Sequence, residues 1–378
     1  VAIAHRRDLP QTVLDLSSAQ LCNPAQRLYL QSGHHNCSQE IELMARNPYY
    51  SGPKSDHFDG TAFHNPQGQP PRSFKDLLKW QFGLGNGISR QRWPSGFADD
   101  FQPVKPRDRV DDAELVITMV GHATMLVQMD GLNILTDPVW SERASPTSWI
   151  GPRRYNAPGI AFDDLPQIDI VLVSHNHYDH LDLATLKRLH RRFKPTIITP
   201  LGNDAIIRPA APDATIVTLD WGGHHEARAT IIHAEPAHHW SARGMRDRRM
   251  ALWAAFVIEN SAGKVYHVGD TGFHDGINYR AAAEKHGRFR AAILPIGAYE
   301  PRWFMESQHQ NPDEAVRGML LCKADHAIGH HWATFQLTNE AAETPRLHLH
   351  EALDRHGVAR DRFATILPGQ NWVAPGRS

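Results

Sequence analysis

A chain of 378 residues with 41% hydrophobic content can bury the core of one large or two average domains. Its 40 Lys and Arg balance 41 Asp and Glu, so the overall basic field that drives nucleic-acid binding is excluded, and nucleic acid is not among the expected partners. No apolar run reaches the roughly 18 residues that a membrane-spanning helix requires.

Residues 1 to about 110 are rich in Pro, Gly, Asn and Arg and read as a loop-rich N-terminal extension packed on a main domain of residues 111–378. Cys22 and Cys37 lie in this extension. A disulfide between them and two free thiols are both compatible with their spacing, and Cys322 stands alone in a helix-like stretch. The chain starts at Val1, so the compartment stays open: periplasmic or exported if a leader was removed, cytoplasmic otherwise. Within the extension, Ser73 reads as an N-cap, and Phe74, Leu77, Leu78 and Phe82 recur at helical spacing with Trp80 beside them. The expected helix packs on the main domain, or turns its aromatic side to lipid or a greasy substrate.

From about residue 112 short apolar runs alternate with turn residues, and each is expected to be a strand: 115–120, 125–129, 168–173, 196–199, 215–219, 230–233, 253–258, 265–268, 291–296 and 364–367. Helical patterns follow at Leu183–Phe193, at Ala315–Leu321 after Asn311-Pro312, and at Leu347–Leu353 before Gly357. Many strands with interspersed helices, but no regular alternation, predict an α+β fold of two packed sheets with helices outside.

Histidine's main chemical uses are metal ligation and proton transfer, and the chain holds 25. The densest signal is Ser174-His175-Asn176-His177-Tyr178-Asp179-His180-Leu181-Asp182, directly after the apolar run 168–173. Alternate side chains of an extended segment share a face, so His175 and His177 can reach one metal. Asp179 and His180, turning into the next helix, can address a second. Four more apolar segments end in a metal-binding or acid/base residue: His238-His239-Trp240, Gly269-Asp270-Thr271-Gly272, His330-His331-Trp332 and Asp137-Pro138. Together they predict strand ends converging on one metal-rich edge.

His-x-His-x-Asp-His at 175–180, a later His, Gly-Asp-Thr-Gly around Asp270 and a final His resemble the metallo-β-lactamase superfamily. The match is closer to its branch of N-acylphosphatidylethanolamine-hydrolysing phospholipases D. It is carried by Gly121-His122-Ala123-Thr124, Leu135-Thr136-Asp137-Pro138, Arg143-Ala144-Ser145-Pro146, Gly151-Pro152-Arg153-Arg154, the string Ile296-Gly297-Ala298-Tyr299-Glu300-Pro301-Arg302-Trp303-Phe304-Met305, and His331-Trp332-Ala333-Thr334-Phe335. Residues 1–110 depart from the animal enzymes and look more like bacterial members.

The resemblance implies a four-layer αββα sandwich with two zinc ions at one edge. His175, His177 and His239 would hold the first, Asp179, His180 and His331 the second, with Asp270 between them. His239 and His331 are preferred over His238 and His330 because the ligand precedes Trp in similar proteins. Asp137 and His309 match further functional positions: Asp137 could orient a ligand from behind, and His309 could bind phosphate or pass a proton. Tyr299 and Arg302 are further candidates for substrate contact. The implied reaction is zinc-dependent hydrolysis of N-acylphosphatidylethanolamine to an N-acylethanolamine and phosphatidic acid, with a phospholipid or other phosphodiester substrate, peripheral membrane contact and a homodimer among the expected associations. Lactonase or small-diester hydrolysis at the same metals, and metal binding without catalysis, are the alternatives.

Overall fold

Two seven-stranded sheets account for the apolar runs, within residues 47–93, 103–111 and 113–376 that the computed structural model describes. In the first, β1 (Leu115–Gly121), β2 (Thr124–Met129) and β3 (Leu132–Thr136) form an antiparallel meander, extended on one side by β14 (Asn371–Val373). Beyond β3, β4 (Ile170–Leu172), β5 (Thr196–Pro200) and β6 (Ile216–Leu219) add in parallel. The second sheet repeats the plan. β7 (His224–Ala227), β8 (Thr230–Glu235), β9 (Ala255–Asn260) and β10 (Gly263–His267) are antiparallel, and β11 (Phe289–Pro295), β12 (Ala324–His330) and β13 (Phe363–Ala364) continue in parallel.

Strands β1 to β4 of the first sheet are buried on both faces, which is why they read as continuous apolar runs. Along β2, Met125, Val127 and Met129 join the core between the sheets, while Leu126 points to the opposite cluster. That cluster packs Val171 and Ile197 beneath Leu186 and Leu189 of α2 (Leu183–Phe193) and Ile206 and Ile207 of α3 (Asn203–Ile207). On the second sheet, α4 (Ile277–His286), α6 (Pro312–Leu321) and α7 (Thr344–His356) contribute Ala282, Val316, Met319, Leu349 and Leu353 to the core. The layers therefore run helix, sheet, sheet, helix. The turn between β11 and α6 holds one more short helix, α5 (Arg302–Met305).

Local chemistry sets the helix boundaries. Asn311 caps α6 in a reciprocal capping box with Glu314, with Pro312 at the first position, and Gly357 in the left-handed region closes α7. Helix α4 had no strong sequence signal, because its buried residues are largely alanine. The run 364–367 is a strand only at Phe363–Ala364. The chain then turns so that Gly369 donates to the Met119 carbonyl and β14 pairs with β1.

Residues 47–93 form one compact unit with the sandwich; Cys22 and Cys37 lie outside the described residues. Phe58 and Phe63 are fully buried in the core, and Trp93 donates to the Glu340 carbonyl at 2.9 Å. Helix α1 (Phe74–Gln81) starts at Ser73 in a capping box with Asp76, and Trp80 reaches Asn339 at 3.0 Å. Cys322 is buried as a free thiol.

His57 ties this segment to the turn between β6 and β7: its Nε2 lies 2.8 Å from Asp220 and its ring stacks on Trp221. The Asp220 hydrogen bond raises the His57 pKa, against burial and with help from Asp56. A raised folded pKa contributes stability that is fully present below the unfolded value and lost as pH rises through the folded one. The urea midpoint is therefore expected to fall from about pH 6 to about pH 8 by an amount that His57→Gln removes. Parallel pH profiles for the two proteins would assign that dependence elsewhere.

Candidate metal centre

The strand ends converge. β4 delivers His175 and His177, the loop after β8 delivers His239, the turn after β10 delivers Asp270, and the end of β12 delivers His331. His175, His177 and His239 bring one ligand atom each within 4.8 Å of one another, as do His175, His180 and Asp270. Asp270 Oδ2 lies 3.1 Å from His331 Nε2 and 3.2 Å from His180 Nε2, and 3.7 Å from His239 Nε2. It stands between the two halves of the cluster. Of the paired histidines, His239 and His331 face the cluster. His238 instead packs on His274, and the buried His330 ring neighbours His267.

In His239, His180 and His175 the ring nitrogen that points away from the cluster is already committed. His239 Nδ1 donates to the Gln308 carbonyl at 3.0 Å, and His180 Nδ1 donates to Asp137 at 2.8 Å. Ser174 Oγ donates to Asp137 and receives His175 Nδ1 at 2.9 Å. These bonds leave Nε2 of each ring as the lone-pair atom aimed inward, the arrangement a metal-binding imidazole requires. His177 turns Nδ1 to the cluster, 2.9 Å from His175 Nε2 and 3.2 Å from His239 Nε2, and His180 Nε2 and Asp270 Oδ1 are buried without hydrogen-bond partners. Orphaned atoms of this kind in a buried His and Asp cluster fit divalent cations.

The electrostatics agree. Burial and neighbouring imidazoles push His177 down to about 3 and His239 down to about 4, keeping them in the neutral, metal-binding form. Burial also opposes charge on His331, yet Asp270 and Asp179 overcome it and push this ring up to about 9. The two carboxylates thus demand positive charge at this spot. Asp137 is completely buried; burial would raise its pKa, but the charge of His180 and hydrogen bonds from His180 and His267 hold it well below the usual carboxylate range.

Close backbone approach is needed to assemble the cluster. A Cβ on Gly297 would sit 2.2 Å from the His331 carbonyl oxygen, and one on Gly269 would meet Ser174 at 2.9 Å. His122, Asp137 and His331 all take positive φ, a conformation that non-glycine residues adopt chiefly where surrounding structure enforces it.

Two members of the cluster had no assigned role in the sequence reading. His122 donates to Asp179 Oδ2 at 2.9 Å and its ring lies 4.0 Å from that of His331, within ligand range of the same group. His267 approaches Asp137 at 3.4 Å. Each is a single histidine ending an apolar strand, the same signal that drew attention to Asp137.

The candidates in the Gly297–Met305 string divide. Tyr299 is buried and its hydroxyl pairs with His348 Nδ1 at 2.9 Å. Arg302 is paired with Glu314 at 2.9 Å and donates to the His309 carbonyl. Neither lines the space beside the His and Asp cluster. That space is a groove of about 490 Å³ where His177, Asp179, Asp270 and His309 meet Leu77, Trp80, Trp240, Phe304, Met305 and Leu337.

With this geometry in place, comparison with known proteins defines the class. The Beta-lactamase superfamily domain profile matches residues 132–332. The chain belongs to the metallo-β-lactamase superfamily and is a metal-dependent hydrolase. It is 39% identical over 292 residues to N-acyl-phosphatidylethanolamine-hydrolyzing phospholipase D 1 of Caenorhabditis elegans, covering 74% of this chain and 79% of that one. It is 33% identical to the mitochondrial N-acyl-phosphatidylethanolamine-hydrolyzing phospholipase D of Saccharomyces cerevisiae, over 65% of this chain and 53% of that one. Among solved structures, the metallo hydrolase Igni18 of Ignicoccus hospitalis shares the fold at a TM-score of 0.52 and 19% identity, over 70% of this chain and all of that one.

Proposed function

We propose that the protein is a zinc-dependent phosphodiesterase of the phospholipase D type, which cleaves N-acylphosphatidylethanolamine to an N-acylethanolamine and phosphatidic acid. The observation that carries this reading is the groove: its walls are mainly aromatic and aliphatic, with Arg72 and Arg248 the cationic residues among them, and it opens directly on the His and Asp cluster. Apolar walls beside the cluster suit acyl chains, whereas a phosphorylated sugar would need a tight cationic cup. The names of the two related phospholipases support the same substrate class.

His175, His177 and His239 would hold one zinc ion, Asp179, His180 and His331 the other, with Asp270 shared. Bound there, the ions supply Lewis acidity at the phosphoryl oxygens and make a water nucleophilic near neutral pH. The chain's own residues do the rest. Asp137 and Gln308 hold His180 and His239 in the ligating tautomer. Leu77, Trp80, Trp240 and Phe304 bind acyl chain and exclude bulk water. His309 Nδ1 is buried, lacks a protein partner, and lies 3.9 Å from Asp270 Oδ2, where it can donate to a phosphoryl oxygen.

Peripheral membrane contact follows from the groove's rim. Phe74 and Met245 are exposed and line the groove itself, and Phe74 is carried by α1. Among the described residues no helix is long and apolar enough to cross a membrane.

The test is direct: zinc-loaded protein incubated with N-acylphosphatidylethanolamine in mixed micelles should release phosphatidic acid. Lactone hydrolysis without any diesterase activity would replace this reading with a lactonase on the same centre. His309→Ala should keep wild-type zinc content and lower kcat by about 100-fold, the usual range for a lost proton donor. Because His309 also falls within ligand range of His239 and Asp270, a matching loss of zinc would make it a ligand instead.

A further inference from the structure

The outer side of the second sheet carries another set of metal-binding residues, none of them part of the hydrolytic cluster. His233 on β8, Glu259 on β9 and His286 at the end of α4 bring one ligand atom each within 4.8 Å of one another. His233 Nε2 is buried without a hydrogen-bond partner, although Glu259 Oε2 stands only 3.4 Å away. Two atoms that bind a tetrahedral ion at about 2.0–2.1 Å are themselves about 3.4 Å apart. The spacing that makes no hydrogen bond is the spacing of two ligands on one ion.

The surroundings divide the work in the same sense. Glu259 gives Oε1 to Lys264 at 3.0 Å and keeps Oε2 for the His233 side. Glu235 receives His286 Nε2 at 2.8 Å and is itself anchored by Lys285 at 2.7 Å, so a carboxylate orients the imidazole from behind. His224 pairs with His233 in the β7–β8 register, with the rings 5.7 Å apart, and offers a fourth donor on the same face.

We propose that His233, Glu259 and His286 form a second, separate site for one divalent ion, which staples the C-terminal end of α4 to strands β8 and β9 of the second sheet. Two imidazoles and one carboxylate select zinc, copper or nickel over magnesium or calcium.

The test is metal stoichiometry of the full chain, stripped with chelator, dialysed against zinc and assayed for bound metal. If the hydrolytic centre takes two ions, wild type should bind about three, and His233→Ala and Glu259→Gln should each bind about one fewer with hydrolytic turnover unchanged. Asp270→Asn should retain this extra equivalent, so failure here and failure of the phosphodiesterase reading are separable. Glu259 is partly exposed, which keeps the experiment decisive if His233→Ala folds poorly. Equal zinc content in wild type and Glu259→Gln would overturn the proposal.

Discussion

Asp270→Asn is expected to lower kcat/KM by at least about 1,000-fold and to drop zinc at the hydrolytic centre below about one ion per chain. The carboxylate is 4% exposed and its Oδ2 lies between 3.1 and 3.9 Å from ring nitrogens of His331, His180, His239, His175 and His309. Only a charge at that position serves both halves of the cluster. The amide keeps the volume but loses the charge and turns one oxygen into a donor, facing nitrogens that must themselves face metal. Losses should therefore appear in both ions together. Zinc analysis beside steady-state kinetics checks this, and full zinc content in the variant would remove Asp270 from its shared position.

Asp137→Ala should destabilise the protein by about 3–5 kcal/mol, the range for removing one partner of a buried ionic set. It should also weaken zinc at the His180 position by about 10- to 100-fold, as expected when the group orienting a ligand is lost. Asp137 is fully buried and accepts from Ser174 N at 2.7 Å, Ser174 Oγ at 2.8 Å and His180 Nδ1 at 2.8 Å. Alanine leaves all three donors buried and unpaired. Urea unfolding of zinc-loaded and chelator-treated protein separates the two effects: the unpaired donors cost stability in both states, the ligand disorder only in the loaded one. Wild-type stability and zinc affinity in this variant would show that Asp137 is neither buried partner nor orienting group.

Much of the centre was readable from the chain because its densest part is local. His175, His177, Asp179 and His180 sit on one strand end and the turn after it, so their spacing alone implied a metal. The same holds for strands β1 to β4, whose burial on both faces writes a continuous apolar run. Helices α2 and α6 announced themselves through Leu spacing and the Asn311-Pro312 cap. Helix α4 did not, since alanines pack well without leaving a strong periodic contrast.

What the amino-acid order determined by itself was thus the dense His and Asp grouping at 175–180 and the inventory of layers. The tertiary structure alone decided that His122 and His267 join the cluster, that Tyr299 and Arg302 turn away from it, and that α1 walls an apolar groove beside it. The reason is separation. His122 meets Asp179 across 57 residues, and Leu77 and Leu337 line one groove from distant parts of the chain, and such placements have no local period to betray them. A single histidine at a strand end has meaning only when the neighbouring strands place it, and a cavity is a property of the walls around it.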